Sequence, residues 1–185
     1  QVVHQQEHVV IDAASRRNLE ILSNLSGGES HTLAAVMDHT CTAMGGRMLR
    51  RWLGSPIRHR ATLEQRLFAI ESTLEQRLHD QLRPLLRRIG DMERILSRIA
   101  LQSARPRDLA RLRDSLSVLP ELQQALANDQ TTSLQALAAQ ISTFPEISEL
   151  LQRSVIENPP MIIRDGGVIA TGYDAELDEL RSIRE

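Results

Sequence analysis

"LEQRLFAIESTLEQRL", residues 63–78, decides the fold class. Leu63, Leu67, Ile70, Leu74 and Leu78 recur at steps of four, three, four and four. Those steps keep returning to one face of a helix, whereas a half-buried strand would alternate every second residue. The same period runs on downstream. Leu82, Leu85, Leu86 and Ile89 predict a helix in which Pro84 fits a first turn. Gly90 then reads as a stop and Asp91 as the next N-cap. Met92, Ile95, Leu96 and Ile99 form the next stripe. Pro106 opens a helix with Leu109, Leu112, Leu116 and Leu119, which Pro120 kinks or restarts before Leu122 and Leu126. After a loop at 128–133, Leu134, Leu137 and Ile141 predict a short helix, and Pro145 starts another with Ile147, Leu150, Leu151 and Val155.

One stretch breaks the helical period. In "MIIRDGGVIATGYD", residues 161–174, Asp165-Gly166-Gly167 is a tight-turn signal between two β-prone runs. The spacing predicts a small β-hairpin near 161–170, a second turn at Gly172, and a last helix capped by Asp174 with Leu177, Leu180 and Ile183 on one face. That helix has no stop signal before Glu185. Near the start, "VVID" reads as extended, and Asp12 caps a short helix containing Arg16, Arg17 and Leu19. Four aromatics, Trp52, Phe68, Phe144 and Tyr173, leave a core of Leu, Ile, Ala and Met, which suits helix-on-helix packing. The expected class is mainly α: a multi-helical body with one embedded hairpin.

Composition bounds the function. A chain of 185 residues can bury a sizeable core. Its net charge of −2 argues against a free-standing nucleic-acid binder. All 22 basic residues are Arg, so chemistry that needs a Lys, such as a Schiff base or a phosphate-binding G-x-x-x-x-G-K-[ST] loop, is ruled out. Residues 1–113 hold 18 Arg against 12 acids and residues 114–185 hold 4 against 12, so a basic half precedes an acidic one. One cysteine excludes an intrachain disulfide and fits a reducing compartment. No run is long enough to span a membrane and no signal peptide is evident, so a cytoplasmic chain is expected.

Candidate chemistry is sparse. His4, Glu7 and His8 match H-x-x-E-H, which binds metal only when both His share one face of a stable helix. Here Val2-Val3 and Val9-Val10-Ile11 flank the motif, and an extended chain would hold His4 and His8 about 13 Å apart. A solvated polar segment is the favoured reading. Cys41 lies two residues from His39, yet a lone cysteine reads as an inert packing residue. The glycine pairs lack the spacing of a phosphate cradle. Between Asp38 and Glu64 there is no acid, but there are Arg47, Arg50, Arg51, Arg58 and Arg60. That stretch reads as a solvated helix face, with phosphate contact as the alternative and with Leu49, Trp52 and Leu53 turned inward. No catalytic, cofactor-binding or metal-ligating residue is assigned.

The run "DHTCTAMGGRMLRRWLGSPI", 38–57, resembles the core-domain signature of the MutS family of DNA mismatch-repair ATPases, D-x-T-x-T-x-M-G-x-R-x-L-x-x-W-L-x-x-P. Asp38, Thr40, Thr42, Met44, Gly45, Arg47, Leu49, Trp52, Leu53 and Pro56 match it. "IDAASRRNLEIL" upstream, and "IGDMERILSRIAL", "ARPRDLARLRDSL" and "PPMIIRDGGVIATGYDAELDELR" downstream, are similar to further family segments in the family's order. The resemblance implies a core domain over 1–173 and the start of a lever helix over 174–185, cut before a DNA-embracing clamp. It implies a structural and allosteric role, joining DNA-binding parts to an ATPase domain, with no enzyme activity in this segment. The parent would be a homodimeric ATPase that uses ATP and Mg, binds mismatched DNA and works with a MutL-type partner. Gly166 and Gly167 would form the hairpin turn, Trp52 and Leu53 would pack in the core, and no residue would read bases. The alternative is an autonomous helical interaction scaffold unrelated to DNA. A third reading is a small metallohydrolase built on His4, Glu7 and His8.

Overall fold

The computed structural model describes residues 7–184. Its elements, in chain order, are α1 (Ala13–Asn18), α2 (Leu33–Met37), α3 (Ala43–Gly54), α4 (Arg60–Glu75) and α5 (Leu78–Arg88). They continue with α6 (Met92–Ala100), α7 (Pro106–Ala127), α8 (Thr132–Gln140), α9 (Pro145–Ser154), a 3-10 turn (Ile163–Asp165) and α10 (Ala175–Arg184). The mainly helical expectation holds. Caps read from sequence hold too: Asp12, Asp91 and Asp174 each accept a hydrogen bond from the backbone N–H three residues on.

α7 is the axle of the body. Leu112, Leu116, Val118, Leu119, Leu122 and Leu126 are buried along it. Around them pack Leu78 and Leu85 of α5, Ile89 just after it, Ile95 of α6, Leu134 and Ala138 of α8, and Leu151 of α9. Pro120 neither breaks nor restarts this helix, because buried leucines on either side hold it in register. Pro84 likewise lies inside α5 rather than in its first turn.

The founding stripe is divided by the fold. α4 ends at Glu75, Arg77 turns at φ +51, and Leu78 enters the core on α5. Leu67, Ile70 and Leu74 stay 55–64% exposed, and α4 buries no residue fully. The period predicted the helix correctly but not that its apolar face would be open.

The predicted hairpin is replaced by another pairing. Residues 161–164 do not pair with 168–170. Ile163–Asp165 forms a 3-10 turn in which Asp165 N–H donates to Ile162 O and Gly166 N–H to Ile163 O. Val168 and Ala170 bond instead to 154–156, where Val155 and Ile169 form an antiparallel bridge. Val155 is 4% exposed while Met161, Ile162 and Ile163 are exposed, so the pairing forms where a buried partner holds it. The turn chemistry itself was legible, since Gly166, Gly167 and Gly172 all have positive φ.

Candidate functional site

An irregular strap, residues 155–172, is hydrogen-bonded to both α7 and α10. Arg113 of α7 has a side chain only 12% exposed. Its Nη1 donates to Val155 O (3.1 Å) and Ile156 O (2.9 Å), and Nη2 to Glu157 O (3.1 Å). Three consecutive carbonyls are thus held by one planar fork, a geometry a lysine cannot reproduce. One helical turn and a half earlier, Arg107 Nε reaches Pro159 O at 3.4 Å. The near end of the strap is therefore fixed to the buried axle.

The far end is fixed to α10. Ile156 N–H donates to Val168 O (3.1 Å) and Ala170 N–H to Ser154 O (2.9 Å), so the strap doubles back on itself. Arg181 Nη2 then donates to Ile169 O (3.0 Å), and Gly172 N–H donates to Asp178 Oδ2 (2.6 Å). Arg181 and Asp178 pair at 3.2 Å, one turn apart on α10. Among the described residues, no hydrogen bond or ion pair joins α10 directly to another helix. Its side-chain hydrogen bonds to the rest of the chain run to the strap.

The arginine-rich stretch on α3 is not a free phosphate-binding face. Arg47 places its fork on both oxygens of Asp91 (2.8 and 2.7 Å) and reaches Glu93 at 2.6 Å. Arg47 holds the Asp91 carboxyl below the usual range, and the two acids hold Arg47 above its own. Asp91 also caps α6, so one carboxylate ties α3 to that helix's start. Arg50 pairs with Glu29, and Arg60 with Glu64. Arg51 and Arg58 have no ion pair among the described residues. A stretch without acids in sequence meets them in space.

The rest of that segment builds a helix start. Thr42 Oγ1 accepts from Gly45 N–H, and Asp38 Oδ1 accepts from both the N–H and the hydroxyl of Thr40. The Thr40 bonds hold the Asp38 carboxyl below its usual range. Leu53 is half-buried. The inward placement of Trp52 is corrected: it is 41% exposed, with the Arg66 guanidinium 3.7 Å from its ring centre. A cation over an open indole face takes the place of core packing.

His4 lies outside the described residues. Glu7 to Val9 runs extended beside residues 56–58: Val9 N–H donates to Pro56 O, Arg58 N–H donates to Glu7 O, and His8 bridges Ile57. Glu7 and His8 therefore lack the helix that the H-x-x-E-H motif requires. Cys41 is half-buried. Among the described residues no helix is long and apolar enough to cross a membrane.

Sequence reading missed Arg113 and Arg181. Each flanks an apolar stripe on its own helical face, Arg113 four residues after Leu109 and Arg181 four after Leu177, and that was the available signal. It also missed Asp129, 3% exposed, whose two oxygens accept from the Ser72 hydroxyl at 3.1 and 3.0 Å. The family description "MutS domain III" matches residues 14–185 of the chain.

Proposed function

The chain belongs to the MutS domain III family, and from that premise we propose that it is the helical core of a DNA mismatch-repair ATPase. Its role there is structural and allosteric. It joins the parts that touch mismatched DNA to the nucleotide site and passes conformational change between them. In this reading residues 1–173 are the body and 174–185 begin a lever. The observation that supports it is the strap: α10 is held through Arg181 and Asp178 to a segment that Arg113 clamps to α7. A helix attached in this way takes its direction from the packed body, and packed bodies shift between discrete arrangements rather than bending smoothly.

The segment performs no chemistry of its own in this reading. ATP and Mg belong to another domain of the parent, as does mismatch recognition, and the parent is a homodimer that works with a MutL-type partner. Every basic residue here is Arg, so the phosphate-loop lysine must come from elsewhere.

A Gly-Ser insertion directly after Gly172, in the full-length ATPase, tests the transmission role. Gly172 is exposed at φ +84, so the insertion loosens the strap without entering the core. The expected outcome is retained binding of mismatched duplex, retained basal ATP hydrolysis, and loss of the difference in hydrolysis between matched and mismatched DNA. A mismatch response equal to that of the uninserted protein would overturn the proposal.

A further inference from the structure

We propose that Arg113 and Arg181 are positioning residues that act in series, with Arg113 setting the strap and Arg181 setting α10 upon it. The biological meaning of this order rests on the lever reading above, but the order itself follows from the hydrogen bonds. Arg113 touches only the near half of the strap, through the carbonyls of Val155, Ile156 and Glu157. Arg181 touches only the far half, through the carbonyl of Ile169. The two halves meet at one place, the Val155–Ile169 bridge with its flanking bonds from Ile156 to Val168 and from Ala170 to Ser154. The path runs from α7 through Arg113 to 155–157, across the bridge to 168–170, and through Arg181 to α10.

The two ends differ in burial. The Arg113 side chain is 12% exposed and Val155 is 4% exposed, so the near clasp sits in the body. The Arg181 side chain is 34% exposed and rests on a half-buried stretch. A buried donor that serves several carbonyls cannot be replaced by water without exposing them, whereas an exposed one can. Release therefore propagates one way. Loss of the near clasp frees the bridge and everything beyond it. Loss of the far clasp frees α10 and leaves the near half in place.

Hydrogen exchange on the full chain reads this order. Arg113→Met should raise exchange about tenfold or more in 155–157 and in 168–184 together, the loss expected for several charge-assisted bonds. The amide of Val118 in the α7 core should stay as slow as before. Arg181→Met should raise exchange in 173–184 and leave 155–157 unchanged. Arg113→Lys keeps charge and bulk, so it folds if Arg113→Met does not; it loses the fork and should loosen the same two segments to a smaller degree. The proposal is overturned if both Arg113 variants leave 168–184 unchanged, or if Arg181→Met loosens 155–157 as strongly as Arg113→Met does. If the order holds while the Gly172 insertion leaves the mismatch response intact, the series coupling stands and the transmission reading falls.

Discussion

Gly90 follows α5 and fills the place expected of a helix stop, but not for the expected reason. It does not adopt positive φ. It is glycine because α7 approaches closely: a Cβ there would lie 2.6 Å from Arg111 Cγ and 2.8 Å from its Nε. Its N–H donates to the buried hydroxyl of Ser115 at 2.9 Å, which keeps the segment after α5 against α7. Gly90→Ala should therefore destabilise the fold by about 1–3 kcal/mol, as overpacking does. In an Arg111→Ala background most of that cost should disappear, and denaturant unfolding of the four proteins measures the difference. Equal costs in both backgrounds would mean that Arg111 is not the obstacle. Leucines make the same point. Leu67 and Leu116 both sit on predicted stripes, yet Leu67 is 64% exposed and Leu116 is 6% exposed. Leu116→Ala should cost about 2–5 kcal/mol. Leu67→Ala should change stability by less than about 0.5 kcal/mol in this chain. A large loss at Leu67 would show that α4 is covered in solution.

Asp129 links two helices that no sequence period relates. The Thr131 hydrogen bonds, with that of Ser72 of α4 added, hold its carboxyl below the usual range despite burial. Gln135 Nε2 donates to the Asp129 carbonyl, so the same residue steadies the start of α8. A folded-state pKa below the unfolded value stabilises the fold above about pH 4, and that contribution is lost as the pH falls through the folded value. Unfolding followed between neutral and acidic pH should show this loss, and Asp129→Asn should flatten that part of the profile while lowering stability at neutral pH. An unchanged acid limb in the variant would assign the effect to other carboxylates. The pairing of 154–156 with 168–170, in place of a hairpin, has the same origin. The turn glycines announced a reversal of the chain, but which segment received the returning strand depended on Val155 being buried against the body.

The free chain should bind duplex DNA weakly and without preference for a mismatch. Arg47, Arg50 and Arg60 are paired with acids. Within that stretch Arg51 and Arg58 alone have no ion pair among the described residues, so this face should contribute no more than about 2 to the magnitude of the slope of log K against log salt. Titration of matched and mismatched duplexes at two salt concentrations measures both quantities. A clear mismatch preference would show that this domain reads bases. Periodicity alone was enough for a helical body, because the spacing of an apolar stripe is written in the chain whether the fold covers that stripe, as on α7, or leaves it open, as on α4. Helix starts were legible for the same local reason, since a cap acts across three residues. The family, too, was legible, in the order of several short segments. Tertiary structure alone decided which stripes are covered, which acids meet the arginines of α3, and how α10 is held. Those depend on residues far apart in sequence, such as Ser72 with Asp129 (57 positions), Arg47 with Asp91 (44) and Arg113 with Val155 (42). Local pattern carries no information about such pairs. Their contact is set by how helices of given length and burial pack around α7.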